Sequence, residues 1–211
     1  MRVLVCLLLV SSTPAFPTDV LTHHNNPART GAVLEETSLS PSALQTQGFG
    51  RLFSLVVEGQ IYAQPLVVTG VEIPGKGTHN VVYIATMRNW VYAFDADGRD
   101  AAPLWSMFLG APMRYDRIPK DGGAILGQYN VRPFIGITST PVIDRDSGRM
   151  YVVAKIAEPD CPEAEAATPA CPVVYRIHTL DIATGTVIAR TDIQIPLHNP
   201  DVPQEDHGCV R

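Results

Sequence analysis

The 211-residue chain carries little charge. Asp, Glu, Lys and Arg make up 18% of it, with 16 basic against 21 acidic side chains and a net charge of −5. It has no basic excess, which excludes the grip on a nucleic-acid backbone as its main task, since that needs a basic face. It has no hydrophobic run near the roughly 20 residues that cross a bilayer, so no membrane span is expected. It nearly lacks the apolar spacing of amphipathic helices. It also lacks adjacent cysteines, a Gly-Lys-Ser/Thr phosphate loop and a serine nucleophile elbow. What it has is 45% apolar residues, enough for a core. It also has 16 Gly and 18 Pro, a load of turn formers that argues against a helical bundle.

The first fifteen residues read as an address. Met1 and Arg2 precede an eight-residue apolar run, and small residues Thr13 and Ala15 close it. That is the form of a secretory signal peptide, so residues 1–15 are expected to be removed and the protein exported. The destination is the periplasm, the cell surface or the medium. Cys6 leaves with this segment. Cys161 and Cys171 lie in a loop with Pro159, Pro162, Pro169 and Pro172, and in an oxidising compartment they are expected to pair. A zinc site is the sharper alternative, though no Cys-x-x-Cys or Cys/His quartet stands near them. Cys209 is left over.

A repeat sets the fold. Residues 61–68 (Ile-Tyr-Ala-Gln-Pro-Leu-Val-Val) recur as 137–144 (Ile-Thr-Ser-Thr-Pro-Val-Ile-Asp). Next, 81–86 match 150–155. Then 91–95, with a turn to Gly98, match 177–181, with a turn to Gly185. Last, 104–109 match 186–190. Each run is β-branched and aromatic and bounded by Gly, Asp, Asn or Pro, as strands are. The order A, B, C, D occurs twice, with Pro65/Pro141, Tyr83/Tyr151 and Asp95/Asp181 in matched places. The expectation is an all-β β-propeller of four-stranded antiparallel blades, here about two blades and so incomplete. An eight-stranded sandwich is the rival. The divisions are a signal peptide at 1–15, an N-terminal segment with a short helix at 16–48, repeats over 49–196 (blades 61–110 and 137–195), and an irregular tail at 197–211. The helix is read over 40–48, capped by Ser40, opened by Pro41 and stopped by Gly48. Residues 49–57 read as one further strand.

These residues resemble a family. Tyr-Ala-Gln-Pro at 62–65, His-Asn-Val-Val-Tyr at 79–83, Val-Tyr-Ala-Phe-Asp-Ala-Asp at 91–97 and Gly-Ile-Thr-Ser-Thr-Pro-Val-Ile-Asp at 136–144 are similar to the pyrroloquinoline-quinone-like (PQQ-like) β-propeller repeat family. The stretch His-Asn-Asn-Pro-Ala-Arg-Thr-Gly from His24 to Gly31 resembles the segment that opens such chains. The resemblance spans about residues 20 to 195. It implies a propeller fold, and either a quinone-dependent dehydrogenase or a propeller with no cofactor and no reaction. In the family a Trp often stands four residues past the turn Gly. Here Trp105 is seven past Gly98 and Ala189 is four past Gly185, so the ring of structural tryptophans is expected to be weak. Family propellers have more blades than two. The expectation is therefore a fragment, a reading frame altered near Pro196, or an assembly of copies self-associating through open blade edges.

In a propeller the D-to-A and B-to-C connections share one face, so the insertions 110–136 and 157–172 are expected side by side. The first is the candidate binding loop, through Arg114, Tyr115, Asp116, Arg117, Lys120, Tyr129, Asn130 and Arg132, because loops on a rigid scaffold carry function. The partner is a protein or small molecule of unknown identity. Asp121-Gly122-Gly123 is read as a turn, His23-His24 as a solvated loop without a third metal ligand, and His178 as a packing residue. The resemblance supplies no catalytic residue here. Quinone dehydrogenases of the family need adjacent cysteines, a calcium set and an Asp base. No cofactor is expected on the preferred reading, and PQQ with calcium on the alternative, a truncated quinone-dependent alcohol or sugar dehydrogenase.

Overall fold

The computed structural model describes residues 18–34, 39–48, 50–114, 133–157 and 173–193. Among them there is one helix, α1 (Pro41–Gln47). It is capped as its sequence requires. The Ser40 side chain accepts from the Ala43 N–H, Pro41 takes the first position where no donor is needed, and Gly48 ends it at φ 75°.

Strands β1 (Leu66–Ile73), β2 (Gly77–Ala85), β3 (Trp90–Asp95) and β4 (Trp105–Phe108) form an antiparallel meander, sheet 1. A two-stranded ribbon follows, β5 (Met113–Arg114) paired with β6 (Phe134–Ile135). Strands β7 (Val142–Asp144), β8 (Arg149–Ala157), β9 (Val173–Asp181) and β10 (Val187–Asp192) form a second meander, sheet 2. The first strand of each sheet starts at Leu66 and Val142, five residues later than the sequence pattern places it. Pro65 and Pro141 are the reason: a proline has no N–H for the ladder, so pairing begins at the next residue.

The register bears out the repeat. In sheet 1 the row across the strands is Leu66, Tyr83, Ala93, Trp105. In sheet 2 it is Val142, Tyr151, Thr179, Ala189. Asp95 and Asp181 end the third strands, and Val91 and Ile177 stand four residues earlier in each.

Equivalent faces do not meet. Sheet 1 buries Leu66, Tyr83, Val91 and Ala93 against Ile143, Met150, Val152, Ala154 and Leu180 of sheet 2. Those sheet 2 residues lie on the side opposite to Val142, Tyr151 and Ile177, which are exposed. The front of one sheet therefore rests on the back of the next. A two-fold sandwich would bring like faces together.

Trp105 holds the docking position between the sheets in spite of its distance from Gly98. Its indole crosses Gly185 of sheet 2, where a Cβ would come within 2.5 Å of the ring. Its Nε1–H donates to the Ile182 carbonyl at 3.0 Å, an oxygen that also accepts from the Tyr83 hydroxyl at 3.0 Å. Trp105 and Ala189 hold the same register position despite different distances from their turn glycines, because the β3–β4 turn is longer. Sheet 2 simply has no ring at that place.

Residues 50–57 form no strand, which corrects the reading of 49–57 as one. They join no ladder, since no described strand lies beside them. They are nevertheless laid on the back of sheet 1 as β4 is laid on sheet 2. Phe53 lies over Gly98 as Trp105 lies over Gly185. Leu55 and Val57 are half-buried while Leu52 and Val56 face outward. The Met87 N–H donates to the Gln60 carbonyl, as the Ala157 N–H does to the Ala111 carbonyl, both at 2.9 Å.

The chain start straps the two sheets together. Val20 exchanges both backbone hydrogen bonds with Val67 on the edge of β1, and the Leu21 carbonyl accepts from the Ile143 N–H on the edge of β7. The Asp19 carboxylate takes the Thr69 N–H at 2.8 Å and pairs with Arg145.

Candidate functional site

The two insertions leave from one place. β4 ends at Phe108, and the chain runs through Gly110 and Ala111 into the β5–β6 ribbon, from which residues 115–132 depart. Ala111 is bonded to Ala157, the last residue of β8, and Pro112 bridges Ile156. Ala157 in turn is paired with Val173, so the second insertion leaves and returns at that same spot. The roots of the D-to-A and B-to-C insertions are thus hydrogen-bonded neighbours, as the sequence reading expects.

The β2–β3 turn lies beneath them. Asn89 has a left-handed backbone, φ 59°, and is fully buried. Asparagine is among the residues that tolerate this conformation. Its Nδ2 donates to the Gly110 carbonyl at 3.1 Å and the Lys155 carbonyl at 2.8 Å, and its own carbonyl accepts from the Leu109 N–H at 2.9 Å. Gly136, just past β6, lies so close that a Cβ there would come within 2.3 Å of Asn89 Oδ1 and 2.5 Å of the Met87 carbonyl. Only glycine fits.

Beside this junction is a shallow pocket of about 250 Å³, lined by Glu58, Gly59, Gln60, Met87, Arg88, Pro133 and Phe134. Arg88 is its cationic element. It pairs with Glu58 at 2.7 Å and lies over the Phe134 ring at 4.5 Å. An arginine held by a carboxylate and an aromatic face presents its remaining donors in a fixed direction, which suits binding a planar or anionic group.

Of the expected site residues, Arg114 has its backbone in β5. Tyr115, Asp116, Arg117, Lys120, Tyr129, Asn130 and Arg132 lie outside the described residues, and so do Cys161 and Cys171. The structure adds Asn89, Arg88, Phe134 and Glu58, which the sequence reading missed. Arg88-Asn89 between two strand patterns looks like an ordinary turn, and its one usable signal was an Asn in the position a left-handed residue takes.

His23 and His24 are stacked with ring centroids 4.0 Å apart. The Nδ1 of His23 is 3.4 Å from the Thr140 hydroxyl, and the backbone N–H of His24 donates to Gln64. They belong to the strap. His178 is buried in sheet 2, as a packing residue is. Burial, then the Arg176 charge, holds its imidazole below its ordinary value.

Both tryptophans of the chain are engaged in packing. Trp105 is committed to Gly185 and Ile182, and Trp90 to Tyr92 and Phe108. The sequence has no adjacent cysteines, and the described residues hold no group of three His, Cys, Asp or Glu placed for a metal ion. No helix among them is long and apolar enough to cross a membrane. No family model matches the chain, and no curated protein matches it.

Proposed function

We propose that the chain is an exported protein built of PQQ-like propeller blades, serving as a binding or scaffold module that catalyses nothing itself. The head-to-tail stacking of the two sheets carries the reading. A propeller repeats one rotation, so the front of each blade meets the back of the next, and a symmetric sandwich does not. The lay of Phe53 over Gly98, matching Trp105 over Gly185, continues the same relation one step further back. The adjoining roots at Ala111 and Ala157 support a single binding face made by both insertions. The pairing of Ala157 with Val173 brings the ends of the second insertion together, which favours a Cys161–Cys171 bridge across it.

The test is dye reduction by the purified full chain supplied with PQQ and calcium, over a panel of alcohols and sugars. No turnover is expected, and turnover on any of them overturns the reading. The mass of the secreted, unreduced protein checks the rest: a chain beginning at Phe16, with Cys161 and Cys171 unavailable to alkylation.

A further inference from the structure

We propose that Asn89 is a positioning residue that couples the roots of the two insertions, so that Leu109–Gly110, Gly136 and Lys155–Ala157 hold one spacing and open together. The inference rests on the binding-face reading for its purpose, but not for its geometry. Three chain ends meet at this one buried amide. Its Nδ2 holds Gly110, where the first insertion begins, and Lys155, where the second is about to begin. Its Oδ1 abuts Gly136, where the first insertion ends. Its backbone carbonyl holds Leu109. A carboxamide in a pocket of this kind has no second place to go. The residue is 0% exposed, its backbone is fixed in a conformation few side chains accept, and Gly136 leaves no room on the far side.

A helix or strand could support one loop root. Asn89 supports two that are 45 residues apart in sequence, at Gly110 and Lys155. Releasing it should loosen both roots, leaving the Ala111–Ala157 bond and the Pro112–Ile156 bridge to join them.

Hydrogen exchange on the full chain tests this. Asn89→Gly keeps the left-handed backbone and removes the amide. It should speed exchange at the Leu109 and Ala157 amides together, by at least about tenfold, while the β1–β2 amides stay unchanged. Asn89→Asp keeps the shape and cannot donate to two carbonyls, and it should give the same pattern. Tyr83→Phe removes a hydrogen bond elsewhere between the sheets and should leave the Leu109-to-Ala157 pattern as it was. In the unaltered protein those two amides should open with one common rate. A response at a single root, no response at either, or uniform loosening of the whole chain overturns the proposal. The dye assay reads none of these, so its failure and this one are told apart.

Discussion

Sheet 1 and sheet 2 share a register and a turn plan, yet they live in different surroundings. Sheet 1 is covered in front by sheet 2 and behind by residues 50–60. Among the described residues, sheet 2 is covered behind and open in front. Leu66 and Val91 of sheet 1 are 0% exposed, while their counterparts Val142 and Ile177 are 47% and 36% exposed. The same apolar residue types occur at matched positions, and what differs is whether a neighbour is present. Apolar patterning in a repeat therefore marks a face made for stacking, while the stacking decides what that face contributes to stability.

The sharpest way to break the comparison is truncation at matched sites. Leu66→Ala should cost about 3 kcal/mol by urea denaturation, through lost burial and an unfilled cavity. Val142→Ala should cost under about 0.5 kcal/mol, as surface changes do. Equal losses would mean that the front of sheet 2 is covered after all.

The turn glycines come next. Gly185→Ala and Gly98→Ala both put a Cβ into an aromatic ring at positive φ, 72° and 69°. Trp105 is held in a ladder and cannot retreat, whereas Phe53 sits on an unpaired stretch that can. Gly185→Ala should therefore cost the more, by about 1 kcal/mol or above, measured as a difference in thermal midpoint.

The tyrosines are a finer probe. Burial, then the Asp181 charge, pushes the Tyr83 hydroxyl well above an ordinary phenol. Its bond to Ile182 is also backed by Trp105, so Tyr83→Phe orphans no carbonyl and should cost about 1 kcal/mol. Tyr151→Phe should cost close to nothing.

The smallest effect separates two histidines. His79 Nδ1 lies 2.5 Å from the buried Asp95 carboxylate, and its Nε2 2.9 Å from the Lys76 carbonyl. Two acceptors want both ring nitrogens protonated, so these bonds raise the His79 value. Burial works against the Asp95 carboxylate, but the bonds from His79, Arg99 and Asp97 prevail and lower it. The His79 contribution is full below about pH 6.5 and fades as pH climbs through its raised folded value. The Asp95 contribution is present above the ordinary carboxylate range and fades as pH falls through its lowered one. His178 behaves the opposite way to His79: its contribution is full above about pH 6.5 and fades as pH drops toward its depressed folded value. Denaturation midpoints across pH should show His79→Gln flattening the alkaline limb and His178→Leu the acid limb. A reversal of the two would refute the assignment.

Much of this was legible in the sequence. The strands, their order and the helix caps follow from period-two runs, turn residues and Ser40-Pro41, all of them local signals. The adjoining insertion roots followed from the blade plan. The first strands were misplaced because Pro65 and Pro141 stop the ladder, which spacing alone does not reveal. Trp105 was misjudged because counting residues from a glycine misses the length of a turn, whereas register does not. Asn89 was missed because its role depends on Gly110, Gly136 and Lys155, which no window of sequence brings together.

The strap also gives folding a timetable. Asp19 meets Arg145, 126 residues further along the chain. At about 5–20 residues per second of synthesis, the start of the chain waits about 6 to 25 seconds for its second partner. It can find Val67 long before it can find Ile143. Sheet 1 is thus free to recruit the strap early and offer it to sheet 2 as a ready edge, and contacts of such range make the final closure slow. An exported chain threaded unfolded through a membrane would meet the same order of events on the far side, with Val20 docked on sheet 1 before sheet 2 arrives to be latched.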